Sequence, residues 1–161
     1  MSKNVPNIRI LTAVGLFGVM LGAVGLPIYL HAPKYFSDTY GVSLASLGAI
    51  MFALRVVDFV QDPLLGRLST SGFLPHRLLS AGAGAIIIIG ALGLFIVTAP
   101  INPTIWFALS LILLFTGYSL SVILLYTHAV NNFADNAQPI VARWREAGQL
   151  IGICLSAIAP T

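Results

Sequence analysis

The sequence predicts an all-α membrane protein, and three features of the chain lead to that fold class. Hydrophobic residues make up 58% of the 161 residues and charged residues only 8%, against about 25% charged residues in soluble domains. The mean hydropathy is +0.95. The apolar residues fall in runs of about 20 or more, the length that a helix needs to cross a bilayer core. These runs are continuous rather than alternating, so helices are predicted in preference to barrel strands.

Polar breaks divide the chain into four complete spans and most of a fifth. The predicted helices cover approximately residues 8–32, 43–69, 78–98, 105–130 and 142–161. Gly18 and Gly22 in the first helix form a small-xxx-small pair, a spacing that lets membrane helices approach closely. The connection 32–41 should lie outside the membrane, with Tyr35, Phe36 and Tyr40 in the headgroup region.

Basic residues near the span ends predict the orientation. If the amino terminus is cytoplasmic, only Lys34 lies outside, as the positive-inside rule requires. The six basic residues on the inside are then Lys3, Arg9, Arg67, Arg77, Arg143 and Arg145. The formal charge of +3 follows from this topology, so membrane lipid is an expected partner and nucleic acid is not.

Three charged side chains interrupt the second span: Arg55, Asp58 and Asp62. Each costs about 2.5–3.5 kcal/mol to insert near the bilayer centre, so such charges mark an ion or solute pathway. At about 100° per residue, these side chains and Gly66 fall in one narrow sector of a helix. Arg55 can pair with Asp58 one turn away, which leaves Asp62 for a cation or a solute hydroxyl.

Two explanations of this charged sector stay open. Two carboxylates and one arginine leave net negative charge in a medium of low dielectric, which favours a bound cation or a retained proton. Alternatively, the three groups form a buried ion-pair network that only fixes helix packing. Catalysis is not expected, because the carboxylates share one helix and the sequence lacks nucleophile and metal motifs. We therefore predict no catalytic residue and no cofactor besides a coupling ion.

The second span also resembles a known family. The run Arg55-x-x-Asp58-x-x-x-Asp62-Pro63-x-x-Gly66, preceded by Gly41-Val-Ser-Leu, is similar to helix two of the glycoside-pentoside-hexuronide:cation symporters. These symporters form the melibiose permease branch of the major facilitator superfamily. The resemblance implies cation-coupled symport of a sugar or related small polar solute by alternating access, in the bacterial inner membrane. It also implies that the chain is a partial N-terminal six-helix bundle of such a transporter.

The same resemblance assigns roles to individual residues. Asp58, Asp62 and Gln61 would hold the coupling cation, with Gln61 in place of the family's usual asparagine. Arg55 would balance their charge. The cation would be a proton or Na⁺, and the proton is preferred because only one helix offers carboxylates. Gly22 stands where the family has a sugar-binding carboxylate.

Substrate contacts are expected from two other helices. Arg145 resembles a sugar-contacting arginine of the family, although a membrane anchor explains it equally well. Tyr118 and Ser121 lie along one face of the fourth helix, where they would line a cavity or hydrogen-bond between helices.

A chain with fewer than five full spans could not enclose the family's site alone, so we expect the remainder of the transporter as its partner. The alternative is a non-functional fragment or a structural membrane subunit without transport activity.

Overall fold

The computed structural model describes residues 6–72, 74–132 and 137–158, apart from the side chains of residues 26 and 27. Within these ranges the chain forms helices and no strand, which confirms the all-α prediction. The helices are α1 (Ile8–Tyr40), α2 (Leu44–Thr70), α3 (His76–Phe95), α4 (Pro103–Asn132) and α5 (Gln138–Ile158). The first four are long and apolar enough to cross a membrane. Lys3 and the predicted end of the fifth helix at 159–161 lie outside the described residues.

α1 is longer than the sequence predicted, because the connection expected at 32–41 is helical as far as Tyr40. Phe36 is only 1% exposed, and its ring centroid lies 4.9 Å from that of Phe107 and 5.1 Å from that of Tyr40. This aromatic packing stabilises the added turns although Pro33 lacks an amide hydrogen. Phe36 is therefore a core residue rather than a headgroup anchor.

α3 is shorter than predicted at its carboxyl end, where it stops at Phe95 rather than near residue 98. The following Ala99 donates its backbone N–H to the Tyr40 hydroxyl over 3.0 Å. Pro100 disfavours a helical conformation at Ala99, so the chain leaves the helix before this point. α5 begins earlier than predicted, at Gln138, because Pro139 is well suited to the first turn of a helix.

The chain divides into two compact units, Met1–His31 with His128–Thr161, and Ala32–Thr127. In the first unit, α1 and α5 pack with their backbones in direct contact. A Cβ added at Gly18 or Gly22 would collide with the backbone of α5, and one added at Gly148 or Gly152 would collide with that of α1. Both helices thus carry a Gly-x-x-x-Gly spacing. The predicted close approach at Gly18 and Gly22 is present.

The second unit contains α2, α3 and α4. α3 and α4 pack closely through glycines, since a Cβ at Gly117 would lie 2.8 Å from the carbonyl oxygen of Ala83, and one at Gly90 2.9 Å from that of Ser110. A cluster of apolar side chains fills the space between the helices. It consists of Leu79, Ala83, Leu120 and Leu124, with Leu65 and Leu74 packed against it. This framework positions α2 against α4.

Candidate functional site

α2 carries the charged sector, and it is the least covered of the four candidate spans. Only 11% of its most apolar window is buried, against 25%, 28% and 39% for the other three. The side of the helix opposite the charged sector, with Val57, Val60 and Leu64, is exposed. The helix continues without a break through Pro63.

Arg55 and Asp58 form the ion pair that their spacing predicts. Arg55 Nη1 lies 3.5 Å from Asp58 Oδ2. The Asp58 side chain is 13% exposed, whereas that of Arg55 is 57% exposed. The guanidinium carbon of Arg55 also lies 5.1 Å from the ring centroid of Phe115 on α4, within the range of a cation–π interaction. Arg55 therefore contacts both its own helix and α4.

Gln61 makes a second polar contact between α2 and α4. Thr116 Oγ1 donates a hydrogen bond of 3.2 Å to Gln61 Oε1. Among the described residues, Gln61 Nε2 and Asp62 Oδ1 are buried without a hydrogen-bond partner. A buried polar atom left unsatisfied costs about 1–3 kcal/mol, so each of these atoms would be stabilised by a further partner.

The two predicted substrate contacts on α4 do not lie on the face that meets α2. Tyr118 and Ser121 are half-buried on α4. At about 100° per residue they lie roughly 160° and 140° around the helix from Thr116, and so away from its contact with Gln61. Tyr118 and Ser121 therefore lie on a different face of α4 from the one that contacts α2 through Thr116.

Arg145 belongs to the first unit, with a side chain that is 12% exposed and paired with Glu146. This burial distinguishes it from its exposed neighbour Arg143. Gly22 lies in the same unit, where the backbone of α5 leaves no room for a side chain. Close helix packing therefore accounts for the glycine at this position.

Phe115 and Thr116 are the site residues that sequence reasoning missed. Both lie in the long apolar run of α4, where a phenylalanine or a single threonine gives no signal of its own. Their role depends on which face of α4 meets α2, and helical periodicity within one span does not determine that.

Helices long and apolar enough to cross a membrane, one of which carries two carboxylates and an arginine, are typical of a membrane transport protein. A family model described as MFS/sugar transport protein matches residues 11–161. The chain therefore belongs to this family of the major facilitator superfamily and is an integral membrane protein. No curated protein and no solved structure matches it. The family match does not favour the alternative of a membrane subunit without transport activity.

Proposed function

We propose that this protein is a cation-coupled symporter of the melibiose permease branch, which carries a sugar or related small polar solute by alternating access. The observation that carries the proposal is the buried Oδ1 atom of Asp62, which has no donor among the described residues. A carboxylate oxygen in this state, on a helix long and apolar enough to cross a membrane, is suited to hold a proton or Na⁺.

Charge balance supplies the coupling. Arg55 compensates Asp58 through their ion pair, so the empty site retains the negative charge of Asp62. A bound cation neutralises the sector and lowers the cost of enclosing it in a medium of low dielectric. The conformational change that moves the solute across the membrane is therefore favoured when the cation is present.

A proton fits this arrangement better than Na⁺. A sodium ion needs several oxygen ligands, and one of the available oxygens, Gln61 Oε1, already accepts a hydrogen bond from Thr116. A proton needs only one carboxylate oxygen. Asp58 and Asp62 would share the proton or, in the Na⁺ alternative, hold the ion together with Gln61.

The solute would be a glycoside, pentoside or uronide, with Arg145, Tyr118 and Ser121 as its proposed contacts. We place the protein in the bacterial inner membrane with a cytoplasmic amino terminus. The distribution of basic residues supports this orientation. Arg67 and Arg77 flank the turn between α2 and α3, which would be cytoplasmic, whereas Lys34 lies near the carboxyl end of α1, which would be outside.

The test is uptake into membrane vesicles from cells that express the protein. Radiolabelled methyl glucoside, methyl xyloside and glucuronate serve as probes, with proton and sodium gradients imposed separately. Asp62→Asn removes the charge while keeping the shape, and should abolish gradient-driven uptake without affecting membrane insertion. Asp38→Asn is the matched control, because Asp38 is exposed and pairs with Lys34; it should leave uptake unchanged.

Cation-driven uptake by Asp62→Asn at the wild-type level would refute the role of Asp62. Wild-type uptake that responds to neither gradient would refute coupling itself, while leaving membership of the transport family intact.

A further inference from the structure

Two consecutive residues of α4 hold the two neighbours of Asp58 on α2. Phe115 lies under the guanidinium of Arg55 at 5.1 Å, and Thr116 donates to the oxygen of Gln61 over 3.2 Å. Asp58 stands three residues after Arg55 and three residues before Gln61, close to one helical turn in each direction. The side chains on either side of this carboxylate are therefore fixed from the same short segment of α4.

Phe115 restricts Arg55 by contacting the face of its guanidinium group, which leaves the hydrogen-bonding edge of that group free of the ring. The ring is only 6% exposed, so its position is set by packing. The negative face of an aromatic ring attracts a guanidinium, while the N–H groups at the guanidinium edge stay available to a carboxylate. Phe115 thus limits the directions in which Arg55 can turn and favours the ion pair with Asp58.

Thr116 holds the Gln61 side chain through the oxygen of its amide. Because the oxygen accepts from Thr116, the amide nitrogen is the end directed elsewhere, and it is buried without an acceptor among the described residues. With the amide turned over, the Thr116 hydroxyl would accept from its N–H instead, so Thr116 holds the side chain in either orientation. The hydroxyl of Thr116 therefore fixes the position of the Gln61 side chain and, in the orientation observed, occupies its oxygen.

We propose that Phe115 and Thr116 are positioning residues of the cation site, which set the affinity for the coupling cation through Arg55 and Gln61 without touching the cation themselves. This inference rests on the proposed function. It adds α4 to a site whose charged groups all come from α2.

The chain offers a matched pair of threonines for the test. Thr127 lies on the same helix and also contacts α2, with its hydroxyl 3.2 Å from that of Ser69. Thr116→Val and Thr127→Val therefore each remove one hydrogen bond between α2 and α4, but only the first bond lies beside Asp58. Uptake of the best-transported of methyl glucoside, methyl xyloside and glucuronate is measured while pH is varied at fixed NaCl, and NaCl at fixed pH.

Thr116→Val should lower the cation concentration for half-maximal uptake by about threefold to tenfold, the equivalent of one hydrogen bond, because Gln61 Oε1 becomes free to interact with the bound cation. The solute KM at saturating cation should stay unchanged. Thr116→Ser, which keeps the hydroxyl, should restore the wild-type value, and Thr127→Val should have that value too.

Phe115→Leu provides a second variant, since it keeps an apolar side chain of similar size but removes the ring. It should lower the half-maximal cation concentration by about threefold, because a less restricted Arg55 compensates the charge of Asp58 less well, whereas Phe115→Trp should leave it unchanged. Wild-type cation dependence in both Thr116→Val and Phe115→Leu would overturn the inference. Equal shifts in Thr116→Val and Thr127→Val would also overturn it, because loosened packing would then explain both.

Failure of the inference can be told apart from failure of the proposed function. The proposed coupling fails if the wild-type protein itself shows no cation dependence. The positioning role fails when the wild-type protein and the threonine and phenylalanine variants share one and the same dependence.

Discussion

The contact of α1 with α5 and the contact of α2 with α4 depend on different kinds of interaction. In the first, glycines on both helices bring the backbones together and leave no room for a Cβ. In the second, larger side chains meet through a cation–π contact and two side-chain hydrogen bonds. The first arrangement depends on shape and the second on polar groups, and the helix α2 of the second carries the buried atoms Gln61 Nε2 and Asp62 Oδ1, which lack a partner among the described residues.

The difference separates stability from function. Apolar lipid provides no hydrophobic force to join helices, so a contact that gains van der Waals attraction along two backbones is an effective way to hold them. Polar groups are costly to bury and are retained where an ion or a solute needs them. Substitutions in the glycine contact should therefore affect folding first, and substitutions in the polar contact should affect transport first.

The largest effect on stability is expected from Gly18→Ala. The added methyl group would collide with the carbonyl oxygen of Arg145, which belongs to a backbone and cannot turn aside as a side chain can. Overpacking of this kind costs about 1–3 kcal/mol, and a backbone contact should lie at the upper end. Thermal unfolding in detergent, followed by circular dichroism, measures the loss.

Gly25→Ala is the control for this substitution, because Gly25 lies on the same helix and a Cβ there would meet nothing within 4 Å. Since alanine has the higher helix propensity, this variant should be as stable as the wild type or slightly more so. Equal stability of the Gly18 and Gly25 variants would show that the close approach of α1 and α5 does not hold the first unit together.

A smaller effect is expected from Ser69→Ala in the polar contact. The Ser69 hydroxyl lies 2.8 Å from the carbonyl oxygen of Gly66, to which it donates. The hydroxyl of Thr127 on α4 must then donate to that of Ser69 on α2. The substitution therefore leaves the Thr127 hydroxyl without this acceptor. The loss should be about 0.5–1.5 kcal/mol, as for one hydrogen bond, in the same unfolding measurement.

Ser80→Ala is the control for Ser69→Ala, because it removes a serine hydroxyl that bonds within its own helix and not to a neighbouring one. The Ser80 hydroxyl bonds to the carbonyl oxygen of His76, four residues earlier on the same exposed helix face, so its loss should change stability little. If the two serine variants were equally stable, the hydrogen bond from α4 would contribute nothing.

The fold class and the charged sector could be predicted from the sequence, because both depend on local patterns. Span length follows from the run of apolar residues, and the pairing of Arg55 with Asp58 follows from a separation of one helical turn. The partners of α2 and α1 could not be predicted in this way. Thr116 meets Gln61, and Gly18 meets Arg145, across long separations in sequence that periodicity within one helix does not address.

The carboxyl-terminal end of α1 shows the same limit. A proline at position 33 and a polar stretch after it are typical of a helix end, and local preference predicts one there. Burial of Phe36 against Phe107 is a contact distant in sequence, and it outweighs that preference.

The smallest effect is expected from Lys34→Ala, which tests whether burial rather than charge maintains this end of α1. Lys34 Nζ lies 2.8 Å from Asp38 Oδ2, but the two side chains are 73% and 64% exposed. Water and salt screen such a pair, and ordering two long side chains offsets most of the remaining attraction. Thermal unfolding in detergent should therefore give the wild-type midpoint at both low and high salt. A salt-dependent fall in the midpoint would show that an exposed ion pair, and not the aromatic packing at Phe36, keeps the last turns of α1 helical.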